Sequence, residues 1–217
     1  MAGTNRCKGY EVNTIHLNST TLDEESTRYA LSPAAPAESR YSRTAIVLHW
    51  VLGLTVVAVF GVGLYMANLP FSLLRMKLFN WHKWAGMCYL ALSVLRLVWR
   101  LTHRPPALPA RISAAMPPWQ RWALEATHTG LYILFFAVPL IGWAYSSAAG
   151  FPIVVFGVLP LPDFVPADKT LAALIKPWHE LSAFALLGLA LLHIAAALKH
   201  QWWDRDGLVN RMWPLRR

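Results

Sequence analysis

Read from the N-terminus, the chain starts polar and then turns apolar in four long blocks. Residues 1–40 are rich in Ser, Thr and Glu and close on the stretch Ser32-Pro33-Ala34-Ala35-Pro36-Ala37. They contain no apolar core of the secretory-signal kind, and their composition predicts a disordered extension. The apolar blocks follow at residues 45–66, 78–99, 122–146 and 178–198. Each is roughly 20–25 residues long, enough for a helix to cross a hydrocarbon core of about 30 Å. The expectation is an all-α integral membrane four-helix bundle over residues 41–217, preceded by the extension over residues 1–40.

Two features interrupt the pattern. Pro139 lies inside the third block, where its missing N–H predicts a kink and a carbonyl that neighbouring groups must satisfy. The apolar stretch at residues 151–161 is too short to span and is broken by Pro152 and Pro160. It is expected to lie over the outer mouth as an interfacial cap. No repeat at solenoid spacing is present.

Composition sharpens this picture. Charged residues make up 14% of the chain, against about a quarter in a soluble domain. The formal net charge of +9 is concentrated between the blocks. Arg40 and Arg43 precede the first block, and Arg100, Arg104, Arg111 and Arg121 follow the second with no acid among them. Lys199, Arg205, Arg211, Arg216 and Arg217 follow the fourth. With four spans these groups share one side, so both termini are expected to be cytoplasmic. The basic residues form no continuous stripe, which argues against nucleic acid as a partner. Trp81, Trp84, Trp99, Trp119, Trp122, Trp178, Trp202 and Trp203 fall at block ends, where interfacial belts place them. The two cysteines, Cys7 and Cys88, have no zinc, iron–sulfur or disulfide spacing.

The histidines carry the candidate chemistry. His16 and His103 lie in polar segments and read as solvated, and His200 beside Lys199 reads as interfacial. His49, His82, His128, His179 and His193 fall within the blocks, where an ionisable side chain is costly and points to function. His179 and His193 are fourteen residues apart. That is about 21 Å along a helix and nearly four whole turns, so both rings leave one face, one near each membrane surface. His82 matches His179 at the outer level, and His49 matches His193 at the inner level. Two such pairs suit two haem b groups, each held by two imidazoles and stacked across the bilayer as an electron path. Zinc would gather about four ligands at one site, whereas these are split between two levels. The plainer alternative is that the rings bond between helices or line a polar cavity. Small residues stand four positions after each candidate ligand (Gly53, Gly86, Ala183, Ala197), which permits close approach, whereas Tyr132 follows His128.

The segment Tyr41-Ser42-Arg43 through His49-Trp50 resembles the opening of the bacterial cytochrome b561 family. So do Asn80-Trp81-His82 with Gly86, Glu125-Ala126-Thr127-His128 with Tyr132, Trp178-His179-Glu180, the run from His193 to His200, and Arg211-Met212-Trp213-Pro214. The likeness runs from Tyr41 to the C-terminus. It implies a dihaem b cytochrome of the bacterial inner membrane with His49, His82, His179 and His193 as axial ligands. It also implies a superoxide:ubiquinone oxidoreductase, which takes an electron from superoxide on the periplasmic side and reduces ubiquinone in the lipid bilayer.

On that reading, Arg75, Lys77, Lys83 and Lys176 on the outer side would draw the anion, or contact lipid headgroups. Superoxide oxidation needs no protein acid or base, so no catalytic side chain is assigned. Quinone reduction needs protons, and Glu125 with His128 at the inner level, or Glu180 at the outer level, are the candidates. His128 is alternatively a ligand in place of His49. Two other functions compete: an electron conduit that anchors a partner hydrogenase or dehydrogenase and feeds the quinone pool, and a haem-free bundle whose histidines line a proton path.

Overall fold

The computed structural model describes residues 40–214. The polar extension, with Cys7 and His16, lies outside the described residues. Five helices follow in order: α1 (Arg43–Asn68), α2 (Leu73–Thr102), the short α3 (Ala110–Ala115), α4 (Pro118–Ala148) and α5 (Lys169–Lys199). Between α4 and α5 lies a small antiparallel hairpin, β1 (Val154–Val155) with β2 (Leu159–Pro160). After α5 come a π-helical turn, His200–Asp204, and a 3-10 turn, Leu208–Arg211. α1, α2, α4 and α5 are each long and apolar enough to cross a membrane.

Each spanning helix outruns its apolar block, and polar side chains cap the starts of α1, α2 and α5. Ser42 accepts from Ala45 N at 3.3 Å and Ser72 from Arg75 N at 3.2 Å, satisfying donors that the first turns of α1 and α2 leave orphaned. α4 starts with Pro118 in its first turn, where a missing N–H is harmless. The largest departure from the expected boundaries is α5. It begins at Lys169 rather than residue 178 and runs through Pro177. Asp168 explains the early start: its carboxylate accepts from Thr170 N at 2.7 Å and Leu171 N at 3.2 Å. Pro139 likewise sits inside a continuous α4.

The lateral surface fits lipid as solvent. Leu54, Leu191 and Leu192 stay exposed on the spans, while Leu52, Tyr89, Ser93 and Leu186 are buried. The helices pack unevenly. α4 lies along α5, α1 lies along α2, and α2 also meets α4. α1 and α5 touch only slightly, and α2 and α5 have no close backbone approach among the described residues.

Both described ends meet at one end of the bundle, here termed inner. Arg40 donates to Asn210 O and Trp213 O, at 3.4 and 3.2 Å. Trp50 Nε1 donates to Met212 O at 2.9 Å, and Trp99 Nε1 to Ser42 Oγ at 3.0 Å. Arg211 is buried and donates to Pro106 O and Ala107 O, at 3.1 and 2.8 Å, tying the C-terminal segment to the loop between α2 and α3. At the outer end, Trp84 Nε1 donates to Val154 O at 2.7 Å, and Asp168 N to Ala148 O at 2.9 Å. The 151–161 segment is thereby held across the outer end of α2.

Arg211→Ala strands two carbonyls and is expected to destabilise the bundle by about 2 kcal/mol. A lower thermal unfolding midpoint of the detergent-solubilised protein is the measurement; an unchanged midpoint would show that the strap is not held by this side chain.

Candidate functional site

The outer level holds two imidazoles on opposite sides of the α2–α5 gap. His82 and His179 have ring centroids 6.2 Å apart with planes at 87°. Each ring is fixed from behind by a neighbouring helix. His82 Nδ1 lies 3.2 Å from Val59 O on α1, and His179 Nδ1 lies 3.1 Å from Val138 O on α4. A carbonyl can only accept, so both Nδ1 atoms carry the proton and both Nε2 lone pairs are free.

The helices that fix these rings carry a glycine where each ring lies against them. A Cβ built on Gly63 would stand 3.1 Å from His82 Cε1, and one on Gly142 would stand 2.8 Å from His179 Cε1. Each glycine comes four residues after the accepting carbonyl, on the same helix face. Gly53 and Gly86, singled out by sequence spacing as leaving room for a flat macrocycle, face open space, and Gly86 lines the outer cavity. Gly63 and Gly142 were not foreseen because they belong to the helix behind each histidine, and no spacing along a single helix reveals them.

A cavity of about 630 Å³ occupies the outer gap, within the range of cofactor pockets, about 300–1,000 Å³. Val59, Phe60, His82, Gly142, His179 and Ala183 are among its walls. Tyr89 Oη and Trp143 Nε1, both on residues lining it, are buried without a hydrogen-bond partner among the described residues. Buried polar atoms are seldom left so. A metal between two imidazoles stands about 2 Å from each nitrogen, which puts the ring centroids about 6 Å apart once the ring radii are added. Spacing, free Nε2 atoms, cavity size and orphaned polar groups all fit a flat iron porphyrin.

At the inner level, His49 on α1 and His193 on α5 have centroids 6.1 Å apart with planes at 78°. This pair also faces across helices that barely touch. His128 on α4 approaches His193 more closely, at 5.1 Å, and its Nδ1 lies 2.7 Å from Leu124 O on its own helix. That centroid spacing is short for a metal between the two rings, and α4 and α5 are in close contact. The geometry therefore suits His49 better than His128 as the partner of His193.

The charged residues separate into groups. Arg75 and Lys83 line the outer cavity, Arg75 lying over the Phe79 ring at 5.6 Å and Lys83 donating to Phe151 O at 3.4 Å. Lys77 is exposed and does not line it, and Lys176 pairs with Glu180 at 3.5 Å, both exposed. Glu125 lines a smaller pocket of about 260 Å³ at the inner end with Met116, Pro118, Arg121 and Trp122. His200 has carboxylate partners: its Nδ1 lies 2.6 Å from Asp206 and 3.0 Å from Asp204. The π-helical turn after α5 makes that cluster, which helical periodicity alone does not foresee. His103 is exposed and stacks on Trp99.

Comparison with known proteins agrees with this architecture. A family model described as prokaryotic cytochrome b561 matches residues 40–215. Cytochrome b561 homolog 2 of Escherichia coli (strain K12) is 31% identical over 175 residues, covering 80% of this chain and 90% of the relative. Cytochrome b561 homolog 1 of the same organism is 31% identical over 186 residues, covering 82% and 99%. The probable superoxide oxidase CybB of Yersinia pestis is 28% identical over 179 residues, covering 82% and 98%.

Gly142→Ala puts a methyl group into the His179 ring, and overpacking of this kind costs about 1–3 kcal/mol. Haem per chain in the purified protein is expected to fall below that of the unsubstituted chain, and equal haem content in the two would show that the glycine does not position the ring.

Proposed function

The chain belongs to the prokaryotic cytochrome b561 family, and from that premise we propose that it takes single electrons from superoxide at its outer face and delivers them to ubiquinone. Membership makes it a multi-pass membrane electron-transfer protein of the haem b class. The finer reading rests above all on one observation: matched imidazoles face each other across the helix pairs that do not close-pack. On this reading His82 and His179 hold one haem b, and His49 and His193 hold a second. Held by these imidazoles, haem b would supply a one-electron iron couple suited to outer-sphere transfer.

The chain's own residues supply the rest. The Val59 and Val138 carbonyls fix the tautomer and orientation of His82 and His179. Arg75 and Lys83 place positive charge on the outer cavity, where it concentrates an anionic substrate. Each superoxide loses one electron and leaves as dioxygen. Ubiquinone takes up two electrons and two protons to become the quinol, so two superoxides are consumed per quinone. Glu125 suits the proton role better than Glu180, which is engaged by Lys176. The positive-inside bias orients the inner end, with both termini, toward the cytoplasm of the bacterial inner membrane. The name carried by the Yersinia pestis relative supports the same substrate.

The competing reading makes the chain an electron conduit for a partner dehydrogenase or hydrogenase docked at the outer end. Stopped-flow mixing of haem-loaded protein with superoxide separates the two. Rapid haem reduction that slows as salt rises is the expected result; slow, salt-insensitive reduction would favour the conduit. His179→Ala is expected to lose one haem and keep the other, read by pyridine haemochrome assay. Retention of both would show that the pairing is wrong.

A further inference from the structure

α2 and α5 run in the same direction, and their chemistry is spaced alike. Fourteen residues separate His179 from His193 on α5, and fourteen separate His82 from Arg96 on α2. The spacing is about 21 Å and nearly four turns in both helices, so Arg96 leaves the face of α2 that carries His82, at the inner level. Where α5 presents a second imidazole, α2 presents a guanidinium.

That guanidinium is only partly satisfied. Arg96 Nε donates to the Tyr132 hydroxyl at 3.3 Å, while its Nη1 is buried with no hydrogen-bond partner among the described residues. No carboxylate pairs with Arg96 among those residues; the ion pairs formed there involve Lys176, Lys199 and His200. Tyr132 stands one turn after His128 on the same face of α4, and His128 lies 5.1 Å from His193, so the Tyr132 bond sets Arg96 at the inner histidine level. A second cation reinforces it: Arg100, one turn nearer the inner end, lies over the same Tyr132 ring at 5.2 Å. A charge inside the bilayer is costly unless paired, and a buried donor left unmade is costly again.

We propose that Arg96, backed by Arg100 and Tyr132, is the binding site for a carboxylate of the inner haem and sets that haem's reduction potential above the outer one. The inference rests on the proposed function and deepens it. Haem b carries two carboxylates, and the guanidinium edge left free by the Tyr132 bond presents two donors suited to one of them. Arg96 neutralises that carboxylate and Arg100 adds a positive charge beyond it, which favours the added electron at the inner level and makes transfer from the outer level inward downhill. Arg96 is thus a positioning and tuning residue.

Spectroelectrochemical titration of the full-length, haem-loaded protein tests this. In Arg96→Gln, one of the two reduction steps is expected to fall by at least about 59 mV, a tenfold change in its equilibrium constant, while the other stays put. Arg96→Lys, which keeps the charge, is expected to restore most of the shift. The carboxylate-bending band of the haem in resonance Raman spectra is expected to move with Arg96→Gln. If that variant does not fold, Arg96→Lys, which keeps the charge but loses the planar fork, is required to move the carboxylate band while both potentials stay near those of the unsubstituted protein. In Arg96→Gln, two bound haems with both potentials unmoved would overturn the proposal, as would an equal shift of both. A raised KM for quinone with unmoved potentials would reassign the site to quinone and overturn it too. Wild-type protein without haem would instead sink the proposed function, and this site with it.

Discussion

The structure depends on helices that are kept apart. In most helical bundles side chains interdigitate along every interface, but here α2 and α5 have no close backbone contact, and α1 barely meets α5. Across those two gaps stand paired imidazoles about one metal's span apart. Lipid gives no hydrophobic drive to close such gaps, because its tails are as apolar as leucine. A bundle with this void is held instead by the tight α4–α5 and α1–α2 pairs and by the polar ties at its ends. The proposed haems would fill what the helices leave open.

The ring orientation has its own cause. α1 and α4 flank the outer gap in matching fashion. Each offers a backbone carbonyl to a histidine on the next helix, and a glycine one turn on admits the ring. A backbone acceptor does not titrate or change rotamer, so it fixes which nitrogen is free more rigidly than a side chain could. The inner level is built differently. Three histidines gather there, and an arginine with a buried, unsatisfied donor stands beside them. The two levels thus differ in what stands beside the rings: backbone carbonyls fix them at the outer level, and a third imidazole and a guanidinium gather at the inner one.

Much of this was legible in the residue order. The four spans, the shared side of the basic loops, the cap at residues 151–161 and the depth of each histidine all follow from periodicity and charge. These are local properties: hydropathy reports a helix's solvent, and a fixed rise per residue converts spacing into depth. Boundaries were less legible. The start of α5 was missed by nine residues because the capping by Asp168 and tolerance of Pro177 lie outside an apolar window. Offsets along one helix single out Gly53 and Gly86, whereas the backbone the rings approach most closely, at Gly63 and Gly142, belongs to the helices behind them.

By itself, then, the sequence determined that four helices cross a membrane and that imidazoles stand at two depths. Only the tertiary structure decided which helices stay apart, how far His49 and His128 each stand from His193, and which cations reach the outer cavity. Depth is a coordinate along one helix and is written in residue number. Azimuth, separation and burial are relations between helices, and they exist only once the chain has packed.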